Sequence, residues 1–141
     1  MINVIVASTE KELQDVYTVR REVFIREQQV PESIEMDEKE KESVHFAVYK
    51  ENDPVGAGRL RIVNQKGKAE RVCVLADFRK EGLGLRIMNE MEYVAAEKGA
   101  ETMQLNAQVS AVPFYQRIGY EVVSEMFYDA GIEHVQMEKS L

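Results

Sequence analysis

The sequence predicts a mixed α/β (α+β) domain, a twisted, mostly antiparallel sheet with helices on both faces. Three observations predict it. Strand-like and helix-like segments follow one another in the order β-α-β-β-β-α-β-α-β-β. Turn chemistry between the strands of the first half makes that part antiparallel. A strand-helix-strand unit over 69–106 can then add a parallel strand by a right-handed crossover.

Each element has its own signal. Residues 2–7 alternate β-formers and make a first strand. Thr9 followed by Glu12 has capping-box spacing and opens a helix. Leu13, Val16, Tyr17, Val23 and Phe24 keep helical spacing, and Pro31 bars continuation. Residues 32–42 are rich in Glu, Asp and Lys and read as a solvated loop or short helix. Two strands, 44–49 and 55–63, flank the turn Asn52-Asp53-Pro54. Gly56 and Gly58 inside the second suggest a bulge or a close backbone approach. Gln65-Lys66-Gly67-Lys68 turns the chain into a strand at 69–75. Leu85, Met88, Met91, Ala95 and Ala96 give a helix that Gly99 ends, and its methionines read as core. A short strand at 102–106 precedes a helix at 111–118, with Pro113 in its first turn. Residues 121–127 and 132–137 close the sheet around Asp129-Ala130-Gly131.

Composition bounds the function. A chain of 141 residues with 45% hydrophobic content makes one domain with a sizeable core. A single cysteine rules out an internal disulfide, and no Cys/His cluster has zinc spacing, so no metal is expected. A net charge of −7 argues against sequence-independent nucleic-acid binding and suits a cationic substrate. No apolar run is long enough to span a membrane, and the N-terminus lacks signal-peptide features. A cytoplasmic protein without membrane or nucleic-acid partners is the expectation.

The segment 72–85 carries the most chemistry. A strand runs into a loop with two glycines and then into a helix. Exposed N–H groups and the positive dipole end of a helix favour phosphate. Glycines admit the phosphates, and Arg79 and Lys80 add positive charge. Neither a Walker A loop nor a dinucleotide fingerprint is present. The residues alone leave a phosphate site and a helix start with packing glycines both open.

Arg79-Lys80-Glu81-Gly82-Leu83-Gly84 matches the pattern Arg/Gln-x-x-Gly-x-Gly/Ala. With Asn106 and Ala111-Val112-Pro113-Phe114-Tyr115-Gln116-Arg117-Ile118-Gly119-Tyr120, it makes the chain resemble the GNAT superfamily of acyl-CoA-dependent N-acetyltransferases. Arg21-Glu22-Val23-Phe24, Glu27-Gln28-Gln29-Val30-Pro31, Glu35-Met36-Asp37, His45 and Gly131-Ile132-Glu133-His134 resemble its bacterial YjcF/ElaA-like branch. The resemblance spans the chain. It implies a single GNAT domain over 1–141, acetyl-CoA as cosubstrate and no metal. It further implies direct acetyl transfer to a primary amine in a ternary complex. A small-molecule acceptor is preferred to a protein, and a homodimer is the default assembly.

The resemblance also assigns residues. Pantetheine would lie where the strand at 70–76 splays from the strand at 102–107. A bulge near Cys73 and Val74 would aim a backbone N–H at the thioester oxygen. Arg79, Lys80, Glu81, Gly82, Leu83 and Gly84 would cradle the pyrophosphate, and Asn106 would bond the pantetheine amide. Tyr115 would protonate the leaving thiolate, or simply pack against the pantetheine. Glu70 is the first choice of general base, with Asp37 and His45 as alternatives. His134 matches the branch pattern too, although a lone histidine is commonly structural. Cys73 reads as a small buried hydrophobe, not an acyl carrier. Glu27, Glu35, Asp37 and Asp129 could line a pocket for a cationic amine or be ordinary surface charge. The rival readings are a non-catalytic acyl-CoA-binding module and an interaction domain with a vestigial loop.

Overall fold

The computed structural model describes residues 1–35, 37 and 39–141. Its strands are β1 (Ile2–Val6), β2 (Val44–Lys50), β3 (Asp53–Val63), β4 (Lys66–Val74), β5 (Thr102–Gln108), β6 (Glu121–Val122), β7 (Phe127–Asp129) and β8 (Ile132–Ser140). Its helices are α1 (Glu10–Arg20), α2 (Glu32–Glu35), α3 (Leu83–Glu97) and α4 (Val112–Arg117). The strands form one sheet in the order β1-β2-β3-β4-β5-β8-β6, with β7 also on β8. Among the described residues only β4 and β5 pair in parallel, across the α3 crossover. The predicted mixed, mostly antiparallel sheet is the one observed.

Local chemistry explains the boundaries. The Thr9 side chain accepts the Glu12 N–H at 3.2 Å, and Glu12 Oε1 accepts the Thr9 N–H at 3.0 Å, the capping box read from the sequence. Beyond Arg20 the helix widens into a π-helical segment, Arg21–Glu27, and the Gln28 N–H reaches the Val23 carbonyl. β4 begins at Lys66, because Asn64 and Gln65 alone make the turn with positive φ. The predicted strand at 121–127 is broken into β6 and β7, and Ser124 between them accepts the Gln136 N–H.

Two cores sandwich the sheet. Phe46, Leu60, Met103 and Met137 pack against Ile87, Met88 and Met91 of α3. On the other face Ala47, Ala57 and Cys73 pack against Val16, Val19 and Val23. Helices therefore lie on both faces, and the methionines of α3 are core as read.

The bulge lies earlier than expected. Arg59 pairs with Glu70 and Ala57 with Cys73, so Arg71 and Val72 together oppose Gly58. Arg71 takes φ +56°, the left-handed conformation that permits the extra residue. The expected bulge at Cys73 and Val74 is thus corrected to Arg71 and Val72. Gly58 is a close approach as well: a Cβ there would meet Met91 Cε at 2.5 Å.

Candidate active site

β4 and β5 pair only from Lys66–Thr102 to Ala69–Leu105. Beyond that the strands run on to Val74 and Gln108 without a ladder between them. A cleft of about 790 Å³ opens at the parting. The π-helical segment roofs it through Phe24 and Gln28, and α4 closes it with Phe114 and Tyr115.

One edge of β4 faces this cleft. The Leu75 N–H bonds to the Val55 carbonyl, so by strand alternation Val74 presents its backbone groups to the opposite edge. The Val74 carbonyl accepts from Arg79 Nε at 2.9 Å, away from β3. The Val74 N–H is therefore directed to the cleft side.

The cleft reaches the loop before α3. Gly82 caps that helix at φ +75°, with no side-chain cap and no acidic residue in the first turn. The first N–H groups of α3 and its dipole are consequently not neutralised. Gly82 and Gly84 line the cleft, and Lys80 adds a charge beside them. A Cβ on Gly84 would meet Phe114 at 3.2 Å, so glycine lets loop and α4 close together. These features fit an anionic phosphate group.

The other loop residues have separate duties. Arg79 gives two hydrogen bonds of 2.6 Å to Glu27, tying the loop to the π-helical segment. Glu81 accepts from Lys50 at 2.8 Å. Leu83 is buried in the core. The structure thus engages Glu81 and Leu83 in the scaffold and places Lys80, Gly82 and Gly84 at the cleft, with Arg79 lining the cleft while bonded to Glu27.

Tyr115 stands against the cleft, edge-on to Phe114 and Tyr120 at 5.0 and 5.8 Å. Burial, helped by the nearby Cys73 thiol, pushes its phenol up to about 12. Burial likewise pushes Cys73 up to about 12, so it remains a thiol. A protonated, buried thiol is a poor nucleophile. Asn106 lines the cleft on the same sheet face as Gln104 and Gln108, the face opposite to buried Leu105 and Ala107.

The three base candidates are differently placed. Glu70 lines the cleft, but Arg61 Nε and an Arg61 terminal nitrogen bond its two oxygens at 2.8 and 3.0 Å, and Arg59 Nε adds 3.1 Å. Burial would raise its pKa, yet these guanidinium contacts outweigh burial and lower it. Asp37 takes two hydrogen bonds from Arg59, at 2.8 and 3.0 Å, and one from the Lys39 N–H. Against the raising effect of burial, Arg59, Lys39 and Arg71 bring its carboxyl down to about 2. His45 is buried outside the cleft lining, and its Nε2 donates to the Glu40 carbonyl at 2.8 Å. The structure does not gather these three as free bases around one point.

The acidic stretch 32–42 is less solvated than its composition suggests. Arg20, fully buried, is bonded by Glu35 at 2.6 Å and by both Glu40 oxygens at 2.7 Å. Glu40 also accepts from Arg59 at 2.7 Å. The stretch is one half of an ion-pair network whose other half comes from α1 and β3. Sequence reading missed Arg20, Arg59 and Arg61. Their signal was the alternation of Arg59 and Arg61 with Leu60 and Ile62, which puts both arginines on one sheet face. Of the acidic pocket set, Glu35 and Asp129 line the cleft, whereas Glu27 is taken by Arg79.

His134 is the other histidine at this site. It lines the cleft from β8, opposite Gln108 of β5. Its Nδ1 lies 2.7 Å from the Ile132 carbonyl, and its ring stacks on Phe127 at 6.0 Å.

A strand parting beside an uncapped helix N-terminus is the arrangement of one class of enzyme. The model of the family described as "Acetyltransferase (GNAT) domain" matches residues 6–141, and the chain belongs to that family. Within it the chain is 51% identical over 136 residues to "Uncharacterized N-acetyltransferase YjcF" of Bacillus subtilis (strain 168), covering 96% of this chain and 97% of that one. Escherichia coli ElaA superposes with a TM-score of 0.84 at 20% identity, covering 99% and 98% of the two chains. The chain thus sits in the YjcF/ElaA-like branch. A PaiA N-acetyltransferase from Thermoplasma acidophilum, solved in complex with coenzyme A, has the same fold, with a TM-score of 0.75 at 18% identity over 100% and 99% of the chains.

Proposed function

We propose that the protein transfers the acetyl group of acetyl-CoA to a primary amine of a small-molecule acceptor, by direct attack in a ternary complex. The observation that carries the reading is the parting of β4 and β5 beside the bare N-terminus of α3. An extended pantetheine fits the unpaired strand edge, and a pyrophosphate fits the uncapped helix end. The homologous fold solved with coenzyme A supports this choice of ligand.

The chain's own groups divide the work. The Val74 N–H would stabilise negative charge on the thioester oxygen. Asn106 would bond the pantetheine amide. Tyr115, protonated throughout the physiological range, would give its proton to the leaving thiolate. The inert Cys73 favours direct transfer over an acyl-enzyme. Residues 1–141 act as one domain in this reading, and neither nucleic acid nor membrane takes part.

The test compares melting of the apo protein with acetyl-CoA, CoA, NAD and ATP. Ligand at 100 times its Kd adds about 2.7 kcal/mol, or roughly 5–10 °C here. A shift with acetyl-CoA and CoA alone, followed by thiol release with a primary amine, is the expected result. A shift without turnover on any amine would make the protein an acyl-CoA-binding module. No shift would refute the cleft assignment.

A further inference from the structure

Amine acetylation needs a group that takes a proton from the incoming ammonium, and the carboxylates of this cleft are engaged elsewhere. Glu70 is bonded by Arg59 and Arg61, and Asp37, outside the cleft lining, by Arg59. Glu35 also lines the cleft, and its Oε2 is buried without a hydrogen bond. Its other oxygen holds Arg20 at 2.6 Å, so protonating this carboxylate would weaken a fully buried ion pair. Asp129 stands on the exposed rim.

We infer that His134 accepts the proton of the acceptor amine. The inference rests on the acetyl-transfer reading above. Its geometry is independent of that reading. A carbonyl oxygen can only accept, so the 2.7 Å contact with Ile132 places the imidazole proton on Nδ1. Nε2 then carries a lone pair, and among the described residues no group is hydrogen-bonded to it. The Phe127 stack and the Ile132 bond together fix the ring, which is mostly buried. A ring held by a partner on one nitrogen, with the other nitrogen free, is the arrangement a positioned base requires. Beside it Gln108 and Gln136 extend the same polar face of β5 and β8, a floor suited to holding an amine.

The proton balance closes. One ammonium proton passes to Nε2, and the free amine forms the C–N bond as the carbonyl becomes an oxyanion. Collapse breaks the C–S bond. Tyr115 gives its proton to the thiolate, and the nitrogen passes its second proton through water to the Tyr115 phenolate, which is restored. His134 returns its proton to water, so one proton is released for each acetyl transferred.

The test uses His134→Asn, whose amide N–H can still serve the Ile132 carbonyl but which has no basic nitrogen. Thiol release is measured at saturating acetyl-CoA with two kinds of probe. Propylamine, ethanolamine and 1,4-diaminobutane are protonated at neutral pH, whereas methoxyamine is not. The expected result is a loss of about 10²-fold or more in kcat for the alkylamines, with methoxyamine turnover nearly unchanged and the same acetyl-CoA-induced melting shift. Equal losses for both kinds, or no loss, would overturn the role of His134. Failure of the wild type to acetylate either kind would overturn the acetyl-transfer reading, and this inference with it. A long-range ¹H–¹⁵N spectrum reads the tautomer without any turnover. The Nδ1–H form is expected, and an Nε2–H form would overturn the inference by itself. His134→Gln serves if the asparagine variant does not fold.

Discussion

Asp37→Asn separates two roles that the sequence left open for one carboxylate. Arg59 binds Asp37 through two nitrogens, and the carboxyl falls from its ordinary 3.8 to about 2. At 1.36 kcal/mol for each tenfold change in proton affinity, the ionised form contributes about 2 kcal/mol to folding. The sign follows from the depressed folded pKa. The contribution is complete well above pH 3.8 and is lost as pH falls through 2. At pH 3 roughly half of it remains, so the stability gap between wild type and variant narrows by about 1 kcal/mol between pH 7 and pH 3. Urea unfolding at the two pH values measures that gap. At neutral pH the variant should melt roughly 5–10 °C lower and keep kcat within a fewfold, because its partner is a guanidinium and not the acceptor. A general base would behave in the opposite way, with kcat lost by about 10²-fold or more and little change in stability. A gap that stays constant or widens in acid would refute the ion-pair reasoning.

Tyr115→Phe should lower kcat on alkylamines with acetyl-CoA affinity unchanged, and the wild type should show no alkaline loss attributable to Tyr115 up to pH 10, since its phenol lies at about 12. A shared loss in kcat and affinity would reduce Tyr115 to a packing residue. Gly82→Val places a β-branched residue at φ +75°, which costs about 1–2 kcal/mol and displaces the N–H groups of α3. The melting shift given by CoA should shrink in that variant, and a full shift would refute the phosphate assignment. Cys73, buried and raised to about 12, should resist thiol reagents at pH 8 until denaturant is added, and acetyl-CoA should leave no acetyl adduct on the intact chain by mass spectrometry.

The elements set by local chemistry were legible in the sequence. The capping box at Thr9 and the end of α3 at Gly99 each rest on contacts within a few residues, and the Gly82–Gly84 loop was legible from its glycine spacing. The ion-pair network was not legible in the same way. Glu35, Asp37 and Glu40 look like a solvated acidic run until α1 brings Arg20 to Glu35 and Glu40, and β3 brings Arg59 to Asp37 and Glu40, 15 residues or more along the chain. Composition cannot distinguish a charge that meets water from one that meets a guanidinium. A neighbouring strand also changes the reading of the base candidates. Glu70 sits well by register, but its carboxylate is neutralised by Arg59 and Arg61 of the neighbouring strand. His134 matches the branch pattern in the sequence but reads there as a structural histidine, because only the fold shows that its Nδ1 is held by the Ile132 carbonyl and that it lines the cleft beside β5.

The displaced bulge shows why the cleft forms where it does. A strand with strict alternation would send every β4 residue past Ala69 back into register with its neighbours. Arg71 in the left-handed conformation adds one residue opposite Gly58, and the strand bends there. That bend starts two residues after the last β4–β5 pair, Ala69 with Leu105. Gly58 on the partner strand leaves room for Met91 of α3, whose Cε would lie 2.5 Å from a Cβ there. The pressure of α3 on β3 and the extra residue in β4 therefore act at one level of the sheet. Together they keep the far ends of β4 and β5 apart, and the unpaired backbone of Val74 faces the opening that results. The pattern Gly-Ala-Gly in β3 announced a perturbation and the resemblance placed a bulge on β4, but the register shows that the extra residue lies at a position occupied by an arginine instead of a glycine.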